Sequence, residues 1–370
     1  MKKSSKTRVG IVGMGLMGSG HACNLRDGKI PGAVLAAACD PDRRLAGDFP
    51  GVPWFDNVRA LLRSGSVDAV VIATPHYAHT TVGIAALKAG LHVLVEKPVS
   101  VHKADVLKLL GTRRDNQQVF AAMFNQRTDP RYRKLRNMVQ RGELGAIRRI
   151  NWIITDWFRP EAYYRHASWR ATWAGEGGGV LLNQCPHNLD LFQWIFGMPS
   201  KVRGFCQFGR YHDIEVEDDV TAYFEYPNGT TGVFITSTGE APGTNRLEVT
   251  GERGRLVLEG GLLEFLRNEV PVSLFSRRSK EKFKAPPVRR IEVPLPVGTG
   301  EQHAGILKNF IRAIRRGEKL IAPADEGLHS VELANAILLS SVENVTVTLP
   351  LSAPRYAKLL ASLARRSGKK

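Results

Sequence analysis

Cysteines are scarce in this sequence, and their spacing argues against two kinds of site. The four cysteines lie far apart and form no CxxC pair, so neither a disulfide framework nor a zinc ribbon is predicted. They are Cys23, Cys39, Cys185 and Cys206. His76 and His79 are three residues apart, but no cysteine or carboxylate nearby completes a ligand set. We therefore predict no metal site.

Long apolar runs and acidic residues are scarce as well. No apolar run approaches the roughly 20 residues of a membrane span, and no signal-peptide pattern precedes the first strand pattern. We expect a cytoplasmic protein without a membrane partner. Lys and Arg number 52 against 35 Asp and Glu, a net charge of +17. The basic residues are scattered without a reading helix or interleaved aromatics, so no nucleic-acid partner is predicted.

In the first part of the chain, short β-branched runs alternate with amphipathic stretches, a pattern typical of a parallel sheet built from βαβ units. The predicted strands are 8–12, 33–39, 67–73, 92–95 and 119–124. The predicted helices are 18–26, 58–64, 78–89 and 103–114. Residues 1–126 are expected to form a doubly wound α/β Rossmann domain.

The pattern changes after this point to a charged helix and strands separated by turns. The predicted strands include 221–225, 231–236, 246–250 and 255–259, and the predicted helices are 132–141, 179–196, 303–316 and 326–343. The basic stretch 277–290 is interpreted as a mobile loop. We expect 127–350 to be an α+β domain with a mostly antiparallel open sheet, and 351–370 to be a basic C-terminal helix or tail.

A glycine motif, GxGxxG, stands between the first strand and the first helix, and it consists of Gly13, Gly15 and Gly18 with Leu16 and Met17. Such glycines let backbone N–H groups approach a pyrophosphate at the helix N-terminus. Asp40 ends the second strand and is placed to accept hydrogen bonds from the adenosine ribose, which favours NAD over NADP. Arg44 stands close enough to bind a 2′-phosphate instead, so NADP remains the less favoured alternative.

Two further strands end in residues suited to ligand contact, Thr74-Pro75 and Glu96-Lys97-Pro98. Ligands bind at the carboxyl ends of strands in an open α/β sheet. Beside a nicotinamide, Lys97 would hydrogen-bond a substrate oxygen and stabilise a developing alkoxide. The alternative is a surface lysine followed by a proline that ends the strand.

Asn183, His187 and Asp190 recur at spacings of four and three, which would put them on one face of a helix. Pro186 lies inside this pattern, so either the helix is kinked there or Pro186 begins it and Asn183 precedes it. A histidine suits the removal of a hydroxyl proton near neutral pH, although a lone histidine is more often structural.

These segments, taken in order, resemble the glucose-fructose oxidoreductase, inositol dehydrogenase and MocA (Gfo/Idh/MocA) family over nearly the whole chain. The matching stretches are GMGLMG, the ATP stretch with His79, ALKAGLHVLVEKP, Asn125-Gln126-Arg127, Trp169-Arg170, GGGVLLNQCPHNLDL and EQHAGILKNFIRAI. The resemblance implies that Lys97 is the catalytic lysine and His187 the proton-transfer residue. Asn183 departs from the family's usual aspartate and cannot supply negative charge.

The resemblance also implies binding residues. Those assigned to the cofactor are Gly13, Gly15, Leu16, Met17, Gly18, Asp40, Arg44, Thr74, Pro75, His79, Glu96, Lys97, Asn125 and Arg127. The segment 155–179 is similar to a branch of sugar and glucoside 3-dehydrogenases, and its tryptophans and polar groups suit a pyranose. The substrate set is Asp156, Trp157, Arg159, Trp169 and Arg170 with Lys97, Asn183 and His187, and Arg127 is also expected to position the sugar.

The sequence thus predicts an NAD-dependent oxidoreductase that transfers a hydride between nicotinamide and the carbon of a ring hydroxyl on a sugar, glycoside or polyol. One alternative is a lyase or glycosidase that uses the same residues and oxidises its substrate only transiently. A less favoured alternative is a non-catalytic NAD-sensing regulator, which would not need Lys97 and His187. The resemblance further implies a homodimer or homotetramer formed through the C-terminal sheet.

Overall fold

The computed structural model describes residues 6–113 and 117–367. The last residue of the predicted helix 103–114 and residues 368–370 of the basic tail lie outside this range. The strand and helix numbers used below follow chain order.

The first sheet consists of six parallel strands in the order β3-β2-β1-β4-β5-β6. Its strands are β1 (Thr7–Val12), β2 (Ala33–Cys39), β3 (Trp54–Phe55), β4 (Ala69–Ile72), β5 (His92–Val95) and β6 (Phe120–Ala122). The helices between them are α1 (Leu16–Arg26), α2 (Val58–Arg63), α3 (His76–Lys88) and α4 (Lys103–Leu110). The doubly wound Rossmann prediction is confirmed, and β3 was missed because two residues carry no periodicity.

The second sheet has nine strands in the order β14-β13-β12-β11-β7-β10-β9-β8-β15 and is antiparallel except for the β7–β10 pair. Its strands are β7 (Ile147–Ile154), β8 (Lys201–Phe208), β9 (Glu217–Glu225), β10 (Thr231–Ser237), β11 (Asn245–Gly251), β12 (Gly254–Glu259), β13 (Leu262–Asn268), β14 (Val288–Glu292) and β15 (Val347–Thr348). The predicted mostly antiparallel sheet is confirmed.

Seven further helices follow α4 in the described chain. They are α5 (Pro130–Gln140), α6 (Glu161–Arg165), α7 (Pro186–Phe196), α8 (Val272–Arg278), α9 (Gln302–Arg316), α10 (Gly327–Glu343) and α11 (Ala353–Ala364). The predicted helix 179–196 is wrong in its first half, because Pro186 begins α7 and residues 179–185 form turns. The supposed mobile loop 277–290 includes the end of α8 and the start of β14.

The helix-covered face of the second sheet carries an aromatic core. Trp152 stacks on Phe192 with ring centroids 6.5 Å apart, and Phe224 and Phe234 pack against the same ring of Phe192. All four side chains are completely buried. This core anchors α7, the helix that carries His187, to the sheet.

The chain returns to the first domain after the second sheet. Apolar residues of α9, among them Ile306, Phe310 and Ile311, are buried in the same core as the Rossmann strands. The N–H of Ala122 in β6 also donates to the carbonyl of Ala322. The predicted boundary at residue 126 therefore does not separate the two cores completely. In the predicted tail, α11 buries Tyr356 and Leu360 in the second core.

Candidate active site

The glycine turn after β1 leaves no room for side chains at two of its three glycines. Gly13 adopts a φ of +88°, and a Cβ there would lie 2.7 Å from the carbonyl oxygen of Ala73. A Cβ at Gly18 would lie 1.8 Å from the carbonyl oxygen of Gly13. Gly15, by contrast, has no atom within 4 Å of its ideal Cβ, and Leu16 beside it is 92% exposed. This open cradle at the start of α1 fits a dinucleotide pyrophosphate.

Gly15 allows a test of the cradle that does not disturb the fold. We expect Gly15→Val to weaken NADH binding by at least about tenfold, since side-chain atoms there would displace a phosphate from the backbone N–H groups. The melting temperature should change little, because the space is empty. The readout is fluorescence titration with NADH. Gly20→Ala in α1, which also has open space around it, is the matched control, and equal binding by both variants would contradict the assignment.

Asp40 lies beside the glycine turn at the end of β2. Its carboxylate accepts hydrogen bonds from the N–H of Met14 at 2.7 Å and the N–H of Asp42 at 2.9 Å. The exposed Arg44 guanidinium is held by Asp42 at 2.8 Å. The geometry thus places Asp40 next to the cradle, whereas the cation suggested for a 2′-phosphate already has a carboxylate partner.

Thr74 and Asn125 follow β4 and β6 and carry unsatisfied polar atoms. Within the described chain, Thr74 Oγ1 and Asn125 Oδ1 are buried without a hydrogen-bond partner, while Asn125 Nδ2 donates to Gln302 at 2.7 Å. Pro75 directly precedes α3. Buried polar atoms without partners are rare in folded proteins, so these positions fit a polar ligand such as the cofactor.

His79, which is predicted to contact the cofactor, has both ring nitrogens engaged by the protein. Its ring is buried, with Nδ1 2.7 Å from the carbonyl oxygen of Pro98 and Nε2 2.8 Å from that of Thr74. Burial lowers the pKa of His79. The ring therefore joins the ends of two strands and has no free nitrogen for a ligand.

Glu96 is likewise occupied by the protein itself. One carboxylate oxygen lies 2.8 Å from Nε2 of His21 in α1, and the other accepts the N–H of Lys97 at 3.1 Å. Burial acts to raise the pKa of Glu96, but the hydrogen bond and charge of His21 outweigh it and lower the pKa to about 2. Glu96 is thus ionised, and it fixes the backbone of Lys97 by accepting its N–H. Sequence reasoning missed His21, which lies within the glycine-motif helix.

Lys97 and His187 come from different domains. Lys97 Nζ donates to the backbone carbonyl of Asn183 at 2.7 Å, and burial lowers its pKa. His187 is buried at the start of α7, with Phe124 edge-on 6.4 Å away, and its Nδ1 has no partner within the described chain. Burial and then the charge of Lys97 lower the pKa of His187 well below its ordinary value. The His187 imidazole is therefore neutral at physiological pH.

Asn183 lies in the turn before α7 and is held by residues that the sequence analysis did not single out. Its Nδ2 donates to the buried carboxylate of Glu176, and its Oδ1 accepts from the Tyr163 hydroxyl at 3.3 Å. The Tyr163 hydroxyl in turn accepts from Arg170 Nη1 at 2.8 Å. Neither Glu176 nor Tyr163 lies in a periodic segment, and Glu176 was hidden among the glycines of its turn.

Aromatic rings and guanidinium groups line the region next to this turn. The Arg170 guanidinium carbon lies 4.6 Å from the ring centroid of Tyr163 and 4.7 Å from that of Trp169. Arg159 stacks in the same way on Trp157 at 5.5 Å. Two donors here, Trp157 Nε1 and Arg170 Nε, are buried without partners in the described residues. Asp156 is exposed and accepts from Asn245 at 3.1 Å.

Arg127, predicted to bind the cofactor and to position the sugar, is held by partners within the protein. Its buried guanidinium forms a two-point ion pair with Asp190 at 2.6 and 2.7 Å, and it also donates to Glu326 and to the carbonyl of Ile321. Asp190 is completely buried as well. Arg127 therefore ties α7 to the start of α10.

The Arg127 ion pair gives a stability prediction. We expect Arg127→Met to lower the free energy of unfolding by about 3–5 kcal/mol, because it leaves the charge of Asp190 buried and unpaired. Urea denaturation measures this. Arg8→Met removes the exposed Arg8–Asp68 pair and is expected to leave the free energy of unfolding nearly unchanged. If both variants lost similar amounts of unfolding free energy, the buried Arg127–Asp190 pair would matter no more to stability than the exposed pair.

Three broader features of the described residues bear on the site. No three His, Cys, Asp or Glu side chains among them are arranged to hold a metal ion. The four cysteines are free. None of the described helices is both long enough and apolar enough to span a membrane.

Comparison with known proteins places this architecture in a family. Residues 7–124 match the family model described as an oxidoreductase family with an NAD-binding Rossmann fold, and residues 132–257 match the GFO/IDH/MocA C-terminal domain. The chain is 28% identical to the myo-inositol 2-dehydrogenase of Thermotoga maritima over 261 residues, which are 67% of this chain and 74% of that protein.

Solved structures show the same fold over nearly the full length. The WlbA dehydrogenase of Chromobacterium violaceum, in complex with NADH and UDP-GlcNAcA, is 26% identical with a TM-score of 0.81, over 95% of this chain and 98% of that chain. A levoglucosan dehydrogenase in complex with NADH is 20% identical with a TM-score of 0.77, over 94% and 100% of the two chains. Since the two family models together match well over half of the sequence, the chain belongs to the GFO/IDH/MocA family of NAD-binding oxidoreductases.

Proposed function

We propose that this enzyme is a dehydrogenase of a ring hydroxyl on a sugar, glycoside or polyol, with Lys97 and His187 as the polarising and proton-transfer pair. The observation that carries the proposal is geometric: His187 Nδ1 is buried without a partner in the described residues, and Lys97 Nζ is held by the carbonyl of Asn183 in the turn just before His187. The relatives support the substrate class, because they include enzymes named for inositol and levoglucosan.

The lining of the site suits a carbohydrate. Trp157 and Trp169 offer apolar faces for C–H groups, and the free donors Trp157 Nε1 and Arg170 Nε suit hydroxyl oxygens. The pairing of apolar faces with directed donors is what a pyranose or cyclitol requires. Trp173, the third tryptophan of the segment 155–179, does not line the site, since it is buried in the core against Phe208.

The chemistry follows from the protonation states of the two groups. NAD, when bound at the glycine cradle, supplies the hydride acceptor. His187 is neutral and removes the proton of the substrate hydroxyl. Lys97 uses one N–H on the Asn183 carbonyl, so its other N–H bonds remain to stabilise the oxygen as negative charge develops.

The test is a screen of the purified protein with NAD or NADP against polyols, free sugars and glycosides, followed by absorbance of the reduced cofactor. We expect sustained NADH formation with at least one ring polyol, and faster turnover with NAD than with NADP. Substrate consumption without net NADH would support the lyase or glycosidase alternative. No reaction in either direction across the panel would refute the proposal.

We also infer that the open face of the second sheet forms a subunit interface. Side chains that point away from the helices form a row across four strands, in which Phe205 of β8, Thr221 of β9, Ile235 of β10 and Ile153 of β7 are paired in register. Phe205 is 54% exposed. An exposed apolar patch on a sheet typically marks a protein contact.

The interface proposal predicts a change of assembly on substitution. Phe205→Asp should convert a dimer or tetramer into a smaller species, because a carboxylate would be buried in the contact. Light scattering coupled to size-exclusion chromatography measures this. Phe283→Asp, at an exposed position in the loop after α8, should leave the mass unchanged. A wild-type monomer would refute the interface.

A further inference from the structure

A buried carboxylate lies directly behind the turn that carries Asn183. Glu176 is 2% exposed. One of its oxygens accepts the N–H of Ala171 at 2.7 Å, and the other accepts Nδ2 of Asn183. Asn183 is neutral, so Glu176 supplies the negative charge next to it.

The contact with Glu176 fixes which way the Asn183 amide faces. Because Nδ2 donates to the carboxylate, Oδ1 is turned to the Tyr163 hydroxyl, 3.3 Å away. The backbone carbonyl of the same asparagine accepts from Lys97 Nζ. Asn183 therefore stands between Glu176 and Lys97, with an acceptor oxygen on the side where Tyr163 and Arg170 meet.

The charges around Glu176 come from several elements. Arg170 Nη1 lies 4.0 Å from its carboxylate, and Lys97 also attracts it, while the His76 ring lies 3.2 Å from its backbone carbonyl. The buried Glu217 and the Tyr164 hydroxyl are further neighbours. Burial raises the pKa of Glu176, and the hydrogen bonds and cations oppose this. The negative charge of Glu176 in turn acts to raise the pKa of Lys97.

We propose that Glu176 is a positioning residue of this active site: it orients the Asn183 amide and supplies a negative charge on the far side of Asn183 from Lys97. The inference rests on the proposed function for its catalytic meaning. In this arrangement the neutral Asn183 amide separates the Glu176 carboxylate from the substrate. The substrate hydroxyl then contacts Asn183, while the negative charge of Glu176 still attracts the Lys97 ammonium.

Moving the carboxylate back to the family position is the decisive change. Glu176→Gln removes the charge, and adding Asn183→Asp returns a carboxylate to the cleft. If a carboxylate near Lys97 is what keeps its ammonium protonated, the double variant should recover the Lys97 protonation and the turnover that Glu176→Gln loses. Glu215→Gln is the matched control, since Glu215 holds the same loop through the N–H of Trp173 and the hydroxyl of Ser367.

The Lys97 protonation state is measured without turnover. The wild type and variants are acetylated with trace acetic anhydride across a pH series, and the Lys97 peptide is quantified by mass spectrometry. We expect Glu176→Gln to lower the labelling midpoint of Lys97 by about one pH unit, because an opposite charge nearby has been removed. The double variant should return it towards the wild-type value, and Glu215→Gln should not move it. A wild-type midpoint in Glu176→Gln would overturn the proposal.

Turnover gives a second arm once a substrate is known. Glu176→Gln should lower kcat by about tenfold with little change in KM and move the alkaline limb to lower pH, and the double variant should recover much of this loss. If the wild type shows no turnover, the proposed function fails, while the labelling still decides the role of Glu176. If Glu176→Gln does not fold, Glu176→Asp carries the test. Its shorter side chain cannot span the Ala171 N–H and Asn183 Nδ2 together, so wild-type kcat in that variant would contradict the proposal.

Discussion

Replacing Lys97 by alanine is expected to lower kcat by about 10²- to 10³-fold, the usual loss when a donor to a developing oxyanion is removed. Lys97 is held at the end of β5 over the ionised Glu96, and its Nζ is aimed by the Asn183 carbonyl. The loss should appear in kcat and in kcat/KM together, because the interaction strengthens as the alkoxide forms. Steady-state NADH formation provides the measurement.

Two comparisons make the Lys97 result specific. NADH should still bind to Lys97→Ala, since the glycine cradle and Asp40 are unchanged. Lys88→Ala removes an exposed lysine at the end of α3 and should retain wild-type turnover. A Lys97→Ala enzyme within a few-fold of wild type would show that this ammonium takes no part in the chemistry.

Replacing His187 by alanine is expected to lower kcat by about 10²- to 10⁴-fold, the usual effect of losing a general base. Since burial holds the pKa of His187 well below its ordinary value, the base is neutral at pH 6.5 and protonated only at lower pH. The acidic limb of kcat/KM should therefore lie below pH 6.5 in the wild type. It should disappear in His187→Ala.

The same pKa shift predicts how stability depends on pH. A histidine with a lowered pKa in the folded state binds more protons when unfolded, so its stabilising contribution is present above the unfolded pKa and lost as pH falls below it. His187→Ala should thus make the melting temperature less sensitive to acid. His329→Ala in α10 is the control.

An acidic limb of kcat/KM that persists unchanged in His187→Ala would assign the base to another residue.

The residues at strand ends could be predicted from the sequence because local pattern decides them. The glycine motif, Asp40 and Lys97 each follow a short apolar strand, and the parallel sheet brings such ends together. The family resemblance is confirmed by both domain matches. His187 was found through the resemblance, since its spacing alone also suits a structural residue.

What could not be predicted depends on contacts between distant segments. Arg127 was assigned to the ligands because nothing local shows that Asp190 and Glu326 neutralise it. His79 appeared free until the carbonyls on both sides of its ring were known. Glu176 precedes a glycine run without periodicity, so its link to Asn183 exists only in three dimensions.

The most direct test of the central claim is the mass of the NADH formed from a ring-perdeuterated substrate of the screened panel. We predict NADH that carries one deuterium, formed rapidly by the wild type and at least about 100-fold more slowly by Lys97→Ala and His187→Ala. Undeuterated NADH, or deuterated NADH formed by either variant at the wild-type rate, would contradict the account.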